Sequence, residues 1–343
     1  MTELFPADKI KQLQDLIADS KNITIITHVN PDGDAVGSSV GWQTFLKEQG
    51  VKSTVIVPNH FPNFLKWIKG SENIVVNYSE REKCENLLKN SDLIFCLDFN
   101  NLSRLNSIGQ LIQSLDTKKV LIDHHVGTCE NDFTLTFSKV PLSSTSEAVY
   151  EIIRGITKQT SVSQEIAEAL YAGIMTDTGE FSHSCNSCLF RTVADLMDCG
   201  IDRNRIHSLV YGSFSENRMR LQGYCIHKKM EVLPEYKTAY ISLTLNELDK
   251  FKFEPGDTEG FVNIPLNIKD IELSAFFVES KEGFIKVSLR STGEFSVDSM
   301  ARKYFNGGGH KNASGGKLYT SLDKAVSIFK SILPEYDELS TVV

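Results

Sequence analysis

The chain has 343 residues, too long for one ordinary core and short for three, so two domains are expected. A hydrophobic content of 41% with 23% charged residues describes a globular chain and excludes a disordered one. The formal net charge of −8 excludes a broad basic surface for duplex DNA, but not a short nucleotide held in a pocket with bound cations.

Residues 1–20 read as an amphipathic helix with Ile10, Leu13, Leu16 and Ile17 on one face. This segment lacks the uninterrupted apolar stretch of a signal peptide, and no run is long enough to span a bilayer. A cytoplasmic protein without a membrane partner is the expectation. Seven cysteines, an odd number without even spacing, suit a reducing compartment. Cys185 and Cys188 have no second pair at zinc-finger spacing and carry no metal or redox assignment.

Residues 23–27, 52–57, 93–97 and 120–122 read as buried strands with helical segments between most of them. That order predicts an α/β fold with a doubly wound, mostly parallel sheet over residues 1–214. Helical periodicity follows at 164–175, 188–199, 204–211 and 216–229. The last of these carries mixed charge and is expected to serve as a helical linker over 215–228. Alternating patterns at 238–243, 271–278 and 284–289, a Gly-rich loop and a helix near 322–332 predict a smaller mixed α+β domain over 229–343.

The chemistry-bearing residues cluster at predicted strand ends, the edge where open α/β sheets bind ligands. Thr27-His28-Val29-Asn30-Pro31-Asp32-Gly33-Asp34-Ala35 places an imidazole and two carboxylates after the first strand, with Asp34 expected to cap a helix starting at Ala35. Asp98 directly follows the third apolar run, and Asp123-His124-His125 follows the fourth. In extended backbone the rings of His124 and His125 would point in opposite directions. Asp177 ends a helical stretch, where the helix dipole disfavours an anion unless a cation is near. His28, Asp32, Asp34, Asp98, His124 and Asp177 form a mixed oxygen and nitrogen set that suits two divalent ions. Mn²⁺ is the expected ion, with Mg²⁺ or Co²⁺ as alternatives, and a pair of such ions activates water for attack on phosphorus. The Gly307, Gly308 and Gly309 run would let backbone amides approach a phosphate, with Arg290 and His310 as cationic partners. Arg104 is a further candidate phosphate contact, with an intrahelical salt bridge as the alternative.

In this order the segments T-H-V-N-P-D-G-D (27–34), L-D (97–98), D-H-H (123–125) and T-D-T-G (176–179) resemble the DHH phosphoesterase superfamily. V-S-L-R-S (287–291) and G-G-G-H-K-N-A-S-G-G (307–316) resemble the DHHA1 domain, so the likeness spans nearly the whole chain. The resemblance implies that His28, Asp32 and Asp98 hold one ion and that Asp34, Asp98, His124 and Asp177 hold the other. It places His125 near the substrate phosphate, Asp123 in support of the ligands and Asp98 as the bridge, and it assigns substrate contacts to the DHHA1 domain.

Among such families the chain is most similar to the NrnA-like group, which degrades very short oligoribonucleotides and removes the 3′-phosphate of adenosine 3′,5′-bisphosphate; some relatives hydrolyse linear dinucleotides. A short single-stranded or mononucleotide substrate is therefore expected, and a homodimer stays open. The chain has no room for the extra domain usual in RecJ-type exonucleases, and its G-G-G-H segment differs from family II pyrophosphatases. An exopolyphosphatase or pyrophosphatase-like hydrolase is the alternative, separable by base recognition. A nucleotide-binding regulator on an enzyme scaffold is the non-enzymatic alternative.

Overall fold

The structure, a computed structural model, describes residues 4–105 and 107–339, so the readings at 1–3 and 340–343 lie outside the described residues. The chain forms two compact units, Met1–Ser213 and Phe214–Val343.

The first unit runs α1 (Ala7–Ala18), β1 (Ile23–Ile26), α2 (Gly33–Glu48), β2 (Ser53–Val57), β3 (Val75–Val76), α3 (Arg81–Lys89), β4 (Leu93–Leu97) and α4 (Ser107–Ser114). It continues with β5 (Lys118–Asp123), β6 (Leu135–Ser138), α5 (Thr145–Thr157), α6 (Gln164–Asp177), α7 (Ser187–Asp198) and α8 (Arg203–Tyr211). Its six strands lie in the order β3-β2-β1-β4-β5-β6, and every pairing is parallel. The order reverses between β1 and β4, which opens a crevice at the carboxyl ends of these strands.

Alternate residues of the strands feed different cores. Ile25, Val57, Phe95 and Ile122 pack with α1, α2, α5 and α6 on one face. Ile26, Ile56, Ile94 and Leu121 pack with α3 and α4 on the other. Burial on both faces explains why these strands read as continuous apolar runs. The two-residue β3 and the alternating edge strand β6 have no such run, and sequence periodicity did not predict them.

Helix α2 is buried through most of its length because it lies against α6 at backbone distance. A Cβ at Gly37 would stand 2.5 Å from Ala169 O and 2.9 Å from Gly173 N, and one at Gly33 would stand 2.2 Å from Thr176 Oγ1. Hydrogen in place of a side chain at these positions lets the start of α2 meet the end of α6.

The second unit contains α9 (Glu216–Tyr224), a π-helical turn over Cys225–Lys229, β7 (Met230–Leu233), β8 (Thr238–Leu243), α10 (Leu245–Lys250) and β9 (Leu273–Glu279). It ends with β10 (Ile285–Ser291), α11 (Val297–Tyr304), β11 (Gly308–Gly309), β12 (Ala313–Leu318) and α12 (Leu322–Ile332). The sheet order is β11-β12-β10-β9-β8-β7, antiparallel except for the parallel β8–β9 pair. Helices α11 and α12 cover one face, and Leu221 and Cys225 are buried with Ile241, Leu243 and Phe276 on the other. The stretch expected as a linker thus contributes side chains to the core of the second unit, and its α-helix gives way to the π-helical turn at Cys225.

The expected Gly-rich loop is instead an edge hairpin, β11 against β12. Its glycines answer a steric demand, since a Cβ at Gly307 would lie 1.8 Å from Gly315 O and one at Gly316 would lie 2.1 Å from Phe305 O. No helix among the described residues is long and apolar enough to cross a membrane.

Because Gly37 faces backbone, Gly37→Ala is expected to cost on the order of 1–3 kcal/mol through overpacking. Gly223→Ala, where a Cβ meets nothing within 4 Å in α9, should be neutral or stabilising. Urea midpoints of the two variants check the contrast.

Candidate metal centre

The carboxyl ends of β1, β4 and β5 deliver the candidate residues to one crevice. Asp98 follows β4 with φ 66°, a left-handed conformation that Asp and Asn tolerate better than other side-chain-bearing residues. Its amide donates to Ile122 O at 3.0 Å, which fixes the turn against β5. Asp98 Oδ2 lies 3.2 Å from His28 Nε2, and Oδ1 lies 3.7 Å from His124 Nε2. The two oxygens of one buried carboxylate therefore face two different imidazoles.

Among the donor groups here, Asp98 clusters with His28 and Asp32 and also with Asp123 and His125, while Asp34, His124 and Asp177 form a further group beside it. His28 Nε2 is 3.8 Å from Asp32 Oδ2, and His124 Nε2 is 3.3 Å from Asp177 Oδ2. The opposite nitrogens lie near backbone carbonyls, His28 Nδ1 at 2.9 Å from Val29 O and His124 Nδ1 at 3.3 Å from Leu142 O. A carbonyl accepts a hydrogen bond and cannot donate one, so with an ion on Nε2 both rings would carry their proton on Nδ1.

His125 is held differently, with Nδ1 at 2.7 Å from Asp123 Oδ1. The rings of His124 and His125 are 4.9 Å apart at 69°, and both approach Asp98. The expected opposite orientation fails because β5 ends at Asp123 and the alternation of a strand ends with it.

The expected cap at Asp34 is also corrected. Asp32 is the N-cap of α2, accepting from the amides of Asp34 and Ala35 at 3.1 Å each, and the helix begins at Gly33. Asp34 turns away and accepts from the amides of Thr145 and Ser146 at 2.6 and 2.8 Å. These belong to the first turn of α5, whose dipole favours the anion. Thr145 Oγ1 donates to Asp98 Oδ1 at 3.0 Å. Reading by residue type missed this supporting segment, although the spacing Ser144-x-x-Glu147 marks a helix start. Ser144 Oγ accepts from the Glu147 amide, and Glu147 Oε2 from that of Ser143.

Burial, reinforced by the carboxylates of Asp34, Asp32, Asp177 and Asp123, pushes the Asp98 carboxyl well above the usual range. Burial likewise raises Asp34 and Asp123. It draws His28 below the ordinary imidazole range and His125 further below it. Burial also pulls on His124, but Asp177 and Asp34 outweigh it and leave that ring raised. Asp123 Oδ2 is buried with no hydrogen-bond partner among the described residues. Mutually repelling buried carboxylates, an orphaned carboxylate oxygen and two imidazole Nε2 atoms among them fit divalent cations.

Arg104 lies half-buried in a 3₁₀ turn over Leu102–Leu105, and its carbonyl accepts from the Val29 amide at 3.2 Å. Its charge acts on His28, Asp32, Asp123 and His125, while its guanidinium makes no ion pair among the described residues. The intrahelical salt bridge weighed for it is absent there.

In the second unit Arg290 lies on β10 opposite Ala313, whose carbonyl accepts from the His310 amide at 2.8 Å, so one end of the sheet carries both residues. The glycine amides meet a different fate from the one expected. Gly307 N donates to Ala301 O at 3.2 Å and Gly309 N to Asp298 Oδ1 at 2.7 Å, so two of the three are engaged within the unit.

The oxygen and imidazole donors at this switch point are those of a metal-dependent phosphoesterase. The model of the DHH family, N-terminal domain, matches residues 22–174, and that of the DHHA1 domain matches residues 236–335. A crystal structure of an exopolyphosphatase-related protein from Bacteroides fragilis superposes with a TM-score of 0.91 at 41% identity, covering 99% of each chain. The probable bifunctional oligoribonuclease and PAP phosphatase NrnA of Streptococcus mutans is 28% identical over 299 residues, 87% of this chain and 90% of its own. The bifunctional oligoribonuclease and PAP phosphatase NrnA of Bacillus subtilis is 26% identical over 320 residues, 92% of this chain and 96% of its own. The chain belongs to the DHH/DHHA1 phosphoesterase superfamily, in its NrnA-like group, and is a divalent-metal-dependent hydrolase.

Asp98→Asn keeps the left-handed backbone and removes a charge from the repelling cluster. It should nearly abolish turnover yet raise the melting temperature of the EDTA-treated protein. In the unaltered protein, Mn²⁺ at about 100 times its dissociation constant should raise the melting temperature by about 5–10 °C. Differential scanning fluorimetry with and without EDTA reads both effects.

Proposed function

We propose that this hydrolase acts on short single-stranded oligoribonucleotides and on adenosine 3′,5′-bisphosphate, with two divalent ions, Mn²⁺ first and Mg²⁺ or Co²⁺ as substitutes. One observation carries the reading: the two oxygens of Asp98 face His28 and His124 separately, between the His28–Asp32 and the Asp34–His124–Asp177 donors. His28, Asp32 and Asp98 would hold one ion, and Asp34, Asp98, His124 and Asp177 would hold the other. When bound, such a pair polarises a phosphoryl oxygen and makes water nucleophilic near neutral pH.

The chain's own residues supply position and charge. Asp34 is fixed by the α5 amides and Asp98 by Thr145, so the ligand cage stands ready before the substrate arrives. His125, oriented through Asp123, faces the phosphate, and Arg104 neutralises part of its charge. In hydrolysis the water oxygen bonds to phosphorus, the ester P–O bond breaks and the leaving oxygen takes up a proton.

A second reading, hydrolysis of inorganic polyphosphate or pyrophosphate, draws support from the Bacteroides fragilis relative, which at 41% identity is nearer in sequence than the two NrnA proteins. That protein is related to exopolyphosphatases, whereas the two NrnA proteins are named for oligoribonuclease and PAP phosphatase activities.

A hydrolysis panel in Mn²⁺ separates them, with a short oligoribonucleotide, adenosine 3′,5′-bisphosphate, polyphosphate and pyrophosphate, and the Asp98→Asn variant as control. Rapid turnover of the first two is expected. Turnover confined to the last two would establish the second reading, and tight nucleotide binding without any turnover would favour a regulator.

A further inference from the structure

Polyphosphate and nucleotides share their phosphate chemistry and differ in the base, so a base-binding surface beside the metal centre decides between them. Three segments leave the sheet at the carboxyl ends of β1, β2 and β3. The metal loop after β1 carries Asn30 at φ 58°, two residues from both His28 and Asp32. Asn59, in the loop after β2, clasps it: Asn59 Oδ1 accepts from the Asn30 amide at 2.6 Å, and Asn59 Nδ2 donates to Asn30 Oδ1 at 2.9 Å. The segment after β3 is tied to the same loop by Asn77 N to Val57 O at 2.9 Å and Tyr78 N to Pro58 O at 3.1 Å.

This double tether places two rings next to the metal loop. His60 follows Asn59 directly and is exposed, and Tyr78 is 78% exposed. Their centroids are 6.1 Å apart at 64°, so the rings form a corner with one face and one edge. Isolated exposed aromatics are ordinary. Here backbone hydrogen bonds hold together the two segments that carry the rings, and Asn59 fastens one of them to the segment that carries His28 and Asp32.

We propose that His60 and Tyr78 form a nucleobase platform, on which the base stacks against the Tyr78 ring while the edge of His60 bounds it. The platform rests on the nucleotide reading above and gives it a structural basis. Stacking is indifferent to base identity, because every base presents a π face, and this suits a hydrolase of short mixed-sequence oligomers. Asn59 is a positioning residue, coupling the platform to the metal loop.

The test uses the full-length protein in Mn²⁺, a dinucleotide and the same dinucleotide lacking the base on its scissile residue. Tyr78→Ala should raise KM for the dinucleotide on the order of 5- to 20-fold. Tyr78→Phe, which keeps the ring, should recover most of that loss, and His60→Ala should give a smaller rise. None of the three should shift KM for the abasic substrate. Unchanged KM for the dinucleotide in Tyr78→Ala, or equal rises for both substrates, would overturn the platform alone. Absence of dinucleotide turnover in the unsubstituted protein, with polyphosphate turned over, would overturn the nucleotide reading and the platform together.

Discussion

The close approach of α2 and α6 is the constraint on which the candidate metal centre depends. Gly33 and Gly37 on one helix and Gly173 on the other remove the side chains that would hold the two axes apart. The start of α2 carries Asp32 and Asp34, and the end of α6 carries Asp177. A wider crossing would separate carboxylates that belong to a single cluster. A Cβ at Gly173 would stand 2.0 Å from Ser146 Oγ and 2.9 Å from Asp34 Oδ1, so the same narrow space also admits the N-terminus of α5.

Charge follows from this geometry. The helices place anionic groups in a buried volume where they raise one another's proton affinity, a cost that the fold accepts. Part of it is offset within the chain, by the α5 amides at Asp34, the Thr145 hydroxyl at Asp98 and the charge of Arg104. The remainder is what a divalent cation relieves. Stability and activity are therefore expected to pull in opposite directions at Asp98, as they would at a site built to bind metal rather than only to pack.

Much of the fold was legible because its central strands are buried on both faces. The apolar runs of β4 and β5 ending in Asp98 and Asp123 could be found without coordinates, and so could the acidic residue ending α6. What failed to show was whatever depends on a partner distant in sequence. Asp34 looks like a helix cap until α5, more than a hundred residues later, is seen to supply the amides it accepts from. The glycines near 307 look like a phosphate loop until Gly315 and Phe305 show why no Cβ fits there. The two imidazoles of the D-H-H motif were legible, but their common direction required knowing where β5 stops. His60 and Tyr78 stand in unremarkable surroundings, and only the Asn30–Asn59 clasp and the strand-end hydrogen bonds bring them to the metal loop.

The backbone at residue 98 also limits how this position can vary over evolutionary time. With φ at 66°, it is confined to the few residue types comfortable in a left-handed turn, a filter that acts whatever the chemistry. The oxygens directed at His28 and His124 impose a second filter, that of an acid of a given reach. Asparagine passes the first filter and glutamate meets part of the second, while aspartate alone meets both. Each near relative of aspartate therefore keeps one property and gives up the other, so no conservative replacement is expected to serve both.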